Sequence, residues 1–415
     1  MFVASEVSAF SRHCSQFLAL KDGEIAVVKR DGSDLDLSRV ETAAQEVIEL
    51  SPSPFPHWTI KEIMEQPEAI SRTLNYGGRF GPDGSVRLGG LDMNRDVMLD
   101  IKHLVMAACG TSLYASMYGQ LMMQRLGVFE TVQAVDASEL FSEGLPSEHG
   151  GLLVVSQSGE TKDVHRTLEL AQVAGVPTFS VVNSVGSLIA RTTKCGVYLN
   201  AGRENAVAST KAFTTQVTAL ALVAGWYAQN RNPVHHQDRS ELMDAVHRLP
   251  TFIGMSLKTH SQCKELAAKM KDISNLFVLG KGYSRAIAME GALKIKEITY
   301  VHAEGYGGGA LKHGPFALLD KGTPVILIIL DDQHAELMRI AAAQVRARGS
   351  YTVVITDKPA LAKGIADDVI TIPQNGPLTA LLAAIPLQLL AYELSIIRGI
   401  DPDKPRHLAK AVTVD

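Results

Sequence analysis

The 415-residue chain is poor in cysteine and has no excess of either charge. Its four cysteines, Cys14, Cys109, Cys195 and Cys263, lie far apart, with no CxxC and no Cys/His cluster of metal-ligand spacing. This argues against a disulfide framework and against a metal site, and it suits a reducing compartment. The net charge of −4 gives too little basicity for nucleic acid, and no block of like charge makes an interaction tail. Small molecules and other protein subunits remain as partners. The opening MFVASEVSAF lacks the basic and apolar regions of a signal peptide, so a cytoplasmic location is expected. The most apolar stretch, residues 378–397, carries Gln388 and Glu393 and continues a β/α pattern. It predicts a buried helix rather than a membrane span.

What is present is an ordinary enzyme composition, 46% hydrophobic and 20% charged, over a length that suggests two or three domains. Residues 2–30 read as short strands and turns, with GEIAVVKRDG a strand ending at an Asp-Gly turn. Such a piece cannot bury a core of its own and should pack on something else. SPSPFP (51–56) is a linker. Residues 59–74 are helical with a boundary or kink at Pro67, and 77–84 form a glycine-rich loop. From residue 101 the pattern alternates. Apolar runs at 103–108, 151–155, 178–182 and 196–199 are each followed by a turn and a helix-period segment, such as 113–126 or 162–174 with Gly175 as its C-cap. A long apolar helix, 211–229, closes this unit. Residues 235–260 bridge to a second unit with strands at 276–279, 325–330, 352–355 and 369–372, ending in the helix 378–398. MAACGTSLYA and VLGKGYSRAI echo one another, each a strand entering a glycine turn and a helix. The fold class is therefore α/β: two copies of a parallel sheet flanked by helices.

Several segments carry groups capable of chemistry. In VVSQSGET a buried strand ends in Ser156, Gln157, Ser158 and Thr161 around a glycine, at the start of a helix. Free N–H groups and the helix dipole there favour an anion. An ordinary N-cap with a capping box from Ser158 to Thr161 is the alternative. The density of donors at a strand's carboxyl end favours phosphate. Without GxxxxGK[ST], the loop is not a nucleotide P-loop. Thr111 and Ser112 in the Cys109–Ser112 turn offer further hydroxyls, and Cys109 reads as a packing residue rather than a nucleophile. On the helix 284–300, Glu290, Lys294 and Glu297 share one face at i, i+4, i+7. This is either a surface ion-pair stripe or, among Ala, Ile, Leu and Met, a partly buried row in which a carboxylate is tuned as a base. HAEGYGGGALKHGP (302–315) fits no regular element and carries His302, Glu304, Lys312 and His313, the last an acid or base near neutral pH. In the tail 401–415, LAKAVTV is apolar around Lys410, which predicts a tail folded back into a site.

SQSGET, CGTS, VASTKAFTTQ (207–216), EGALKIKEITY (290–300), LKHGP (311–315) and PRHLAKAVTV together resemble the isomerase half of the glutamine–fructose-6-phosphate aminotransferases, a pair of SIS (sugar isomerase) domains. The similarity runs over nearly the whole chain. KEIMEQPEAI and the loop around Leu88 resemble the family's connector, and FVASEVSAF…LKDGEIAVV its last glutaminase strands. The resemblance implies residues 1–50 as a glutaminase-domain remnant and 51–95 as connector. SIS domains would then occupy 96–235 and 236–398, with 399–415 as the active-site tail. The family's nucleophilic N-terminal cysteine is absent, which implies a fragment or a shortened relative. Ala310 stands where the family usually has Glu, Arg203 where it has Pro, and His407 where it has Asn.

By the same resemblance, Thr111, Ser112, Ser156, Gln157, Ser158 and Thr161 would hold the sugar phosphate. Glu297 would move the proton between C1 and C2, with no metal or cofactor. Lys410 would contact the open-chain carbonyl, as an imine at C2. His313 would assist ring opening at a neighbouring subunit's site. Lys294 and Glu290 would orient and charge-balance the base, and Glu204, Val207 and Ala409 would line the sugar. The shared histidine implies a homodimer or dimer of dimers. The expected ligands are fructose 6-phosphate, glucosamine 6-phosphate and glucose 6-phosphate. The rival functions are an SIS-type amino-sugar-phosphate deaminase or deglycase and a non-catalytic sugar-phosphate sensor. The intact Glu297, Lys410 and His313 argue against the sensor.

Overall fold

The computed structural model describes residues 2–3, 13–21, 23–29, 32–42, 51–231 and 236–410. It divides into two compact units, Met1–Ser53 and Pro54–Asp415. In the first unit, Gln16–Phe17 pairs antiparallel with Glu41–Thr42, and Val28–Lys29 with Gly32–Ser33. The expected strand near 24–30 is thus reduced to two residues, and Arg30 and Asp31 of its turn lie outside the described residues. None of the described residues of this unit is buried. That agrees with a piece too small to form a core.

The second unit opens with two short helices, α1 (Trp58–Met64) and α2 (Gln66–Thr73). They part at Glu65, with Pro67 in the first turn of α2, where its missing N–H does no harm. The first sheet then contains β1 (His103–Ala108), β2 (Thr131–Asp136), β3 (Gly150–Ser156), β4 (Thr178–Val182) and β5 (Gly196–Tyr198). The helices around it are α3 (Gly110–Arg125), α4 (Lys162–Ala174) and α5 (Lys211–Arg231). Residues 236–269 add α6 (His236–Ser256) and α7 (His260–Lys269). The second sheet contains β6 (Asn275–Gly280), β7 (His302–Gly307), β8 (Pro324–Ile328), β9 (Tyr351–Thr356) and β10 (Asp368–Thr371). Its helices are α8 (Tyr283–Thr299), α9 (Ala335–Arg346) and α10 (Ala384–Ile397).

Both sheets are parallel and share one strand order, β2-β1-β3-β4-β5 and β7-β6-β8-β9-β10. Burial on both faces explains the unbroken apolar runs of β3 and β8, every residue of which is buried. Alternate side chains feed different cores. Leu104, Met106 and Ala108 of β1 and Leu276 and Val278 of β6 enter one central core shared by the two sheets. Val105 and Ala107 face an outer core with Val164, Leu168 and Ala171 of α4, whereas Phe277 and Leu279 face another with Met338, Ala342 and Val345 of α9. α5 lies in the central core and is buried continuously over residues 211–228. The segment Gly376–Ile397, apolar enough to cross a membrane by composition, is another such core element, 89% of its most apolar window being buried inside the protein.

The duplication extends to packing. A Cβ on Gly119 of α3 would stand 2.9 Å from Leu220 of α5, and one on Gly291 of α8 would stand 2.5 Å from Leu387 of α10. Each half thus uses a glycine to bring its first helix against its last.

Three segments depart from expectation. Residues 302–315 are not wholly irregular, since the first six form β7, an edge strand parallel to β6. Its glycines serve packing: a Cβ on Gly305 would lie 2.5 Å from the Met289 Cα of α8. Thr131–Asp136 is a strand at the matching edge of the first sheet, and the bridge 235–260 is largely the helix α6, which contains Pro250.

Candidate active site

The strand order reverses between β1 and β3, and there the crevice at the strands' carboxyl ends receives ligands in open α/β sheets. Two turns meet at that position. The first follows β1, with Gly110 at a φ of 52° opening α3 and Cys109 before it at the N-cap. Burial, followed by the charge of Asp136, pushes the Cys109 thiol up to about 11, which leaves it a poor nucleophile at neutral pH. Ser112 is buried, and its Oγ accepts a hydrogen bond from Gln216 Nε2 of α5 at 2.9 Å.

The second turn is 156–161. Ser156 Oγ accepts the Gly159 N–H at 3.0 Å and lies 3.1 Å from Thr161 Oγ1, while Ser158 Oγ accepts the Glu160 N–H at 3.2 Å. Gln157 is half-buried on the same turn. The alternative, a capping box, is not made: Thr161 is the N-cap of α4 and gives no side-chain cap. The Glu160 carboxylate is drawn off to the Leu188 N–H at 2.9 Å. Gly159 has a φ of 70°, and a Cβ there would fall 2.0 Å from Ser187 Oγ, so only glycine fits.

α8 brings the acid–base row to the first of these turns. Lys294 Nζ is 2.7 Å from Glu297 Oε2 and 3.6 Å from Glu290 Oε1, and it donates to Thr111 Oγ1 at 3.0 Å. Thr111 Oγ1 is also 3.3 Å from Glu290 Oε1. The row is no surface stripe: Glu290 and Lys294 are 1% and 2% exposed, and Glu297 alone opens outward at 21%. Burial pushes Glu290 up to about 8 against the pull of Lys294. Burial would lower the Lys294 value, but the carboxylates of Glu290 and Glu297 outweigh it and raise it. The consistent charge state is a Lys294–Glu297 ion pair beside a neutral Glu290.

The tail does fold back. Lys410 Nζ donates to Glu204 Oε2 at 2.6 Å. Glu204 Oε1 accepts the N–H groups of Thr210 and Ala212 at 2.8 and 3.1 Å, at the start of α5. Burial alone would raise the Glu204 carboxyl, but Lys410 and these N–H groups hold it down at about 2. The Glu204 charge also acts on Lys294, which puts the tail contact within electrostatic reach of the α8 row. Val207 donates its N–H to the Asp403 carbonyl at 3.1 Å, and Ala409 is exposed beside Lys410. Residues 411–415 of the tail motif lie outside the described residues.

His313 is not brought to this group within the chain. It stands exposed at the end of the 3-10 turn Ala310–His313 and, among the described residues, hydrogen-bonds to none of these side chains. The structure adds residues that the pattern did not suggest: Gln216 behind Ser112, Asp403 against Val207, and Glu62 of α1 beside Glu204. Each acts through a contact between distant parts of the chain, so no local spacing announced it.

Two like sheets with hydroxyl turns at the reversal of strand order, and a buried Glu-Lys-Glu row facing one of them, define a tandem sugar-isomerase-type α/β protein. The SIS domain model matches residues 98–224 and 269–398. The chain belongs to the family of the glutamine–fructose-6-phosphate aminotransferases (isomerizing). It is 37% identical to that enzyme of Chlorobaculum tepidum, over all of this chain and 69% of the relative, and 37% identical to enzyme 1 of Rattus norvegicus, over 62% of the relative. Among solved structures, the C-terminal domain of glucosamine-fructose-6-phosphate aminotransferase from Francisella tularensis superposes with a TM-score of 0.80 at 31% identity, over 85% of this chain and all of that one. A glucosamine-6-phosphate deaminase from Thermotoga maritima (TM-score 0.65, 22% identity, 86% of this chain and 99% of that one) shares the fold.

Proposed function

We propose that this chain is the sugar-phosphate isomerase module of its family. It binds fructose 6-phosphate and, with a glutaminase domain, makes glucosamine 6-phosphate from fructose 6-phosphate and glutamine. Alone, it interconverts fructose 6-phosphate and glucose 6-phosphate in the cytoplasm. The observation that carries this reading is the contact of Lys294 with both Thr111 and Glu297, which sets a carboxylate on one sheet's helix against the hydroxyl turns of the other.

Thr111, Ser112, Ser156, Gln157, Ser158 and Thr161, with the N-terminus of α4, hold the phosphate. Glu204, Val207 and Ala409 line the sugar. Lys410 meets the C2 carbonyl of the open-chain ketose. Its ammonium polarises the oxygen during isomerisation. As the free amine it adds to C2 with loss of water, giving an imine from which ammonia supplied by the glutaminase domain displaces the lysine. Glu297 takes a proton from C1 and returns it at C2, through the enediol of the ketose or the enamine of the ammonia-derived imine, while Lys294 orients the base and neutral Glu290 avoids a second buried negative charge. His313, exposed here, serves ring opening at a neighbouring subunit's site, so the working form is a homodimer or a dimer of dimers.

The test is conversion of fructose 6-phosphate to glucose 6-phosphate by this chain. Glu297→Gln should lose about a hundredfold or more in kcat, the contribution of a positioned general base. Full activity in that variant would remove Glu297 from the role.

A further inference from the structure

Glu62 takes part in none of these steps, yet it is 1% exposed and sits on α1, far from both sheets' turns in sequence. Its Oε1 accepts the N–H groups of Asn205 and Ala206 at 2.5 and 3.3 Å. Its Oε2 is buried and, among the described residues, has no hydrogen-bond partner. Glu204, the next residue back along that turn, grips the N–H groups of Thr210 and Ala212 and meets Lys410. Two buried carboxylates from different elements therefore clamp residues 204–212.

The clamp is tied to the tail from the other side. The Asp403 carboxylate accepts the N–H groups of Trp58 and Thr59, both at 2.8 Å, at the start of α1. Thr59 Oγ1 donates to the Pro402 carbonyl at 3.0 Å, and Val207 reaches the Asp403 carbonyl. A closed circuit results: tail to α1, α1 through Glu62 to the turn, the turn through Glu204 to Lys410, and so back to the tail. Charge fits the same arrangement. Burial, and then the charge of Glu204, push Glu62 up to about 8, so at neutral pH the two acids together carry the single negative charge that one Lys410 ammonium matches. Lys211, the other nearby cation, is paired with Glu65 at 3.0 Å.

We infer that Glu62 is a positioning residue for Lys410: by holding the 205–206 backbone from α1 it sets Glu204, and through Glu204 the place of the lysine amine. The inference rests on the reading of Lys410 given above. A carboxylate buried only to support a helix would not need to grip the backbone beside Glu204.

The experiment uses the full chain with fructose 6-phosphate. Borohydride reduction followed by mass spectrometry of the Lys410 peptide reads imine formation, and isomerase kinetics and melting temperature are measured in parallel. Glu62→Ala should lower kcat by about tenfold to a hundredfold, as for a misplaced reacting group, with a matching loss of Lys410 adduct. Its KM should stay within about threefold, because the phosphate turn is untouched. Glu62→Gln, whose amide oxygen can keep both backbone bonds, should retain adduct and most of kcat. If Glu62→Ala does not fold, Glu62→Asp carries the test, since the shorter acid withdraws from Asn205 and the same separation of kcat from KM is expected. Wild-type adduct and kcat in folded Glu62→Ala or in Glu62→Asp overturns the inference, as does an equal loss in Glu62→Gln. Absence of both turnover and adduct in the unaltered chain removes the reading of Lys410, and this inference with it.

Discussion

Lys294 donates to Thr111 Oγ1 across 3.0 Å, joining α8 of the second sheet to the first turn of the first. Neither sheet alone has the candidate site. Lys294→Met leaves Glu290 buried and Glu297 half-buried with no cation between them. Breaking one partner out of a buried ion pair costs about 3–5 kcal/mol, so urea denaturation should show a loss of that order, with isomerase activity gone.

The turn at Gly159 allows a sharper test. Gly159→Ala forces a Cβ to 2.0 Å from Ser187 Oγ at a φ of 70°. The KM for fructose 6-phosphate should rise by about tenfold as the turn is pushed open, the equivalent of about 1.4 kcal/mol. Ser187→Gly added to it relieves the clash but not the backbone strain, so the double variant should recover part of the affinity.

Stability should vary with pH in two opposed ways. Glu290 is raised from 4.5 to about 8, so the folded protein keeps a proton that the unfolded chain has lost. The stability from this group is full below pH 4.5 and is lost as pH climbs toward 8. Glu290→Gln, neutral throughout, should show a smaller fall in melting temperature over that range than the unaltered chain. Glu204 is lowered from 4.5 to about 2, so its contribution is present above 4.5 and disappears as pH falls toward 2. Glu204→Gln should be less stable at neutral pH, where Lys410 loses its partner, and flatter on acidification.

A shared histidine has its own signature. His313→Ala and Glu297→Gln should each be inactive as homo-oligomers. Mixed after joint refolding, they should regain part of the activity, because some sites then hold an intact His313 and an intact Glu297. Mixtures as inactive as the parents would place His313 in its own chain's site or nowhere.

Close packing at Gly291 predicts a loss that can be repaired. Gly291→Ala sets a Cβ 2.5 Å from Leu387 and should cost about 1–3 kcal/mol, as overpacked cores do. Leu387→Ala in the same chain makes the room and should return part of it, as measured by thermal melting.

The buried strands were legible because both faces are covered: β1, β3, β6 and β8 are near-continuous apolar runs, which few other elements produce. The edge strands β2 and β7 were not, since one side faces outward and their residues are mixed or glycine-rich. α6 is hard to see in the sequence because polar residues and Pro250 interrupt its pattern. The turn 156–161 and the Glu-Lys-Glu row can be read locally, from donors around a glycine and from helical spacing. Burial of that row cannot, because it depends on Thr111 coming from the other sheet. Glu62 and Asp403 were invisible for the same reason: Glu62 meets Asn205 across 143 positions, and Asp403 meets Thr59 across 344.

The central core shared by β1 and β6 has a mechanical consequence. A pair of lobes that open and close need separate cores, with a thin seam between them to bend. Here the seam is itself filled with Leu, Ile, Val and Met from both sheets, so residues 54–415 should melt in a single cooperative step and resist hinge motion. On the proposed function, substrate entry then falls to the parts outside that core, namely the tail carrying Lys410 and the exposed turn carrying His313. On this view the enzyme's moving parts are its latches, and the vault itself stays rigid.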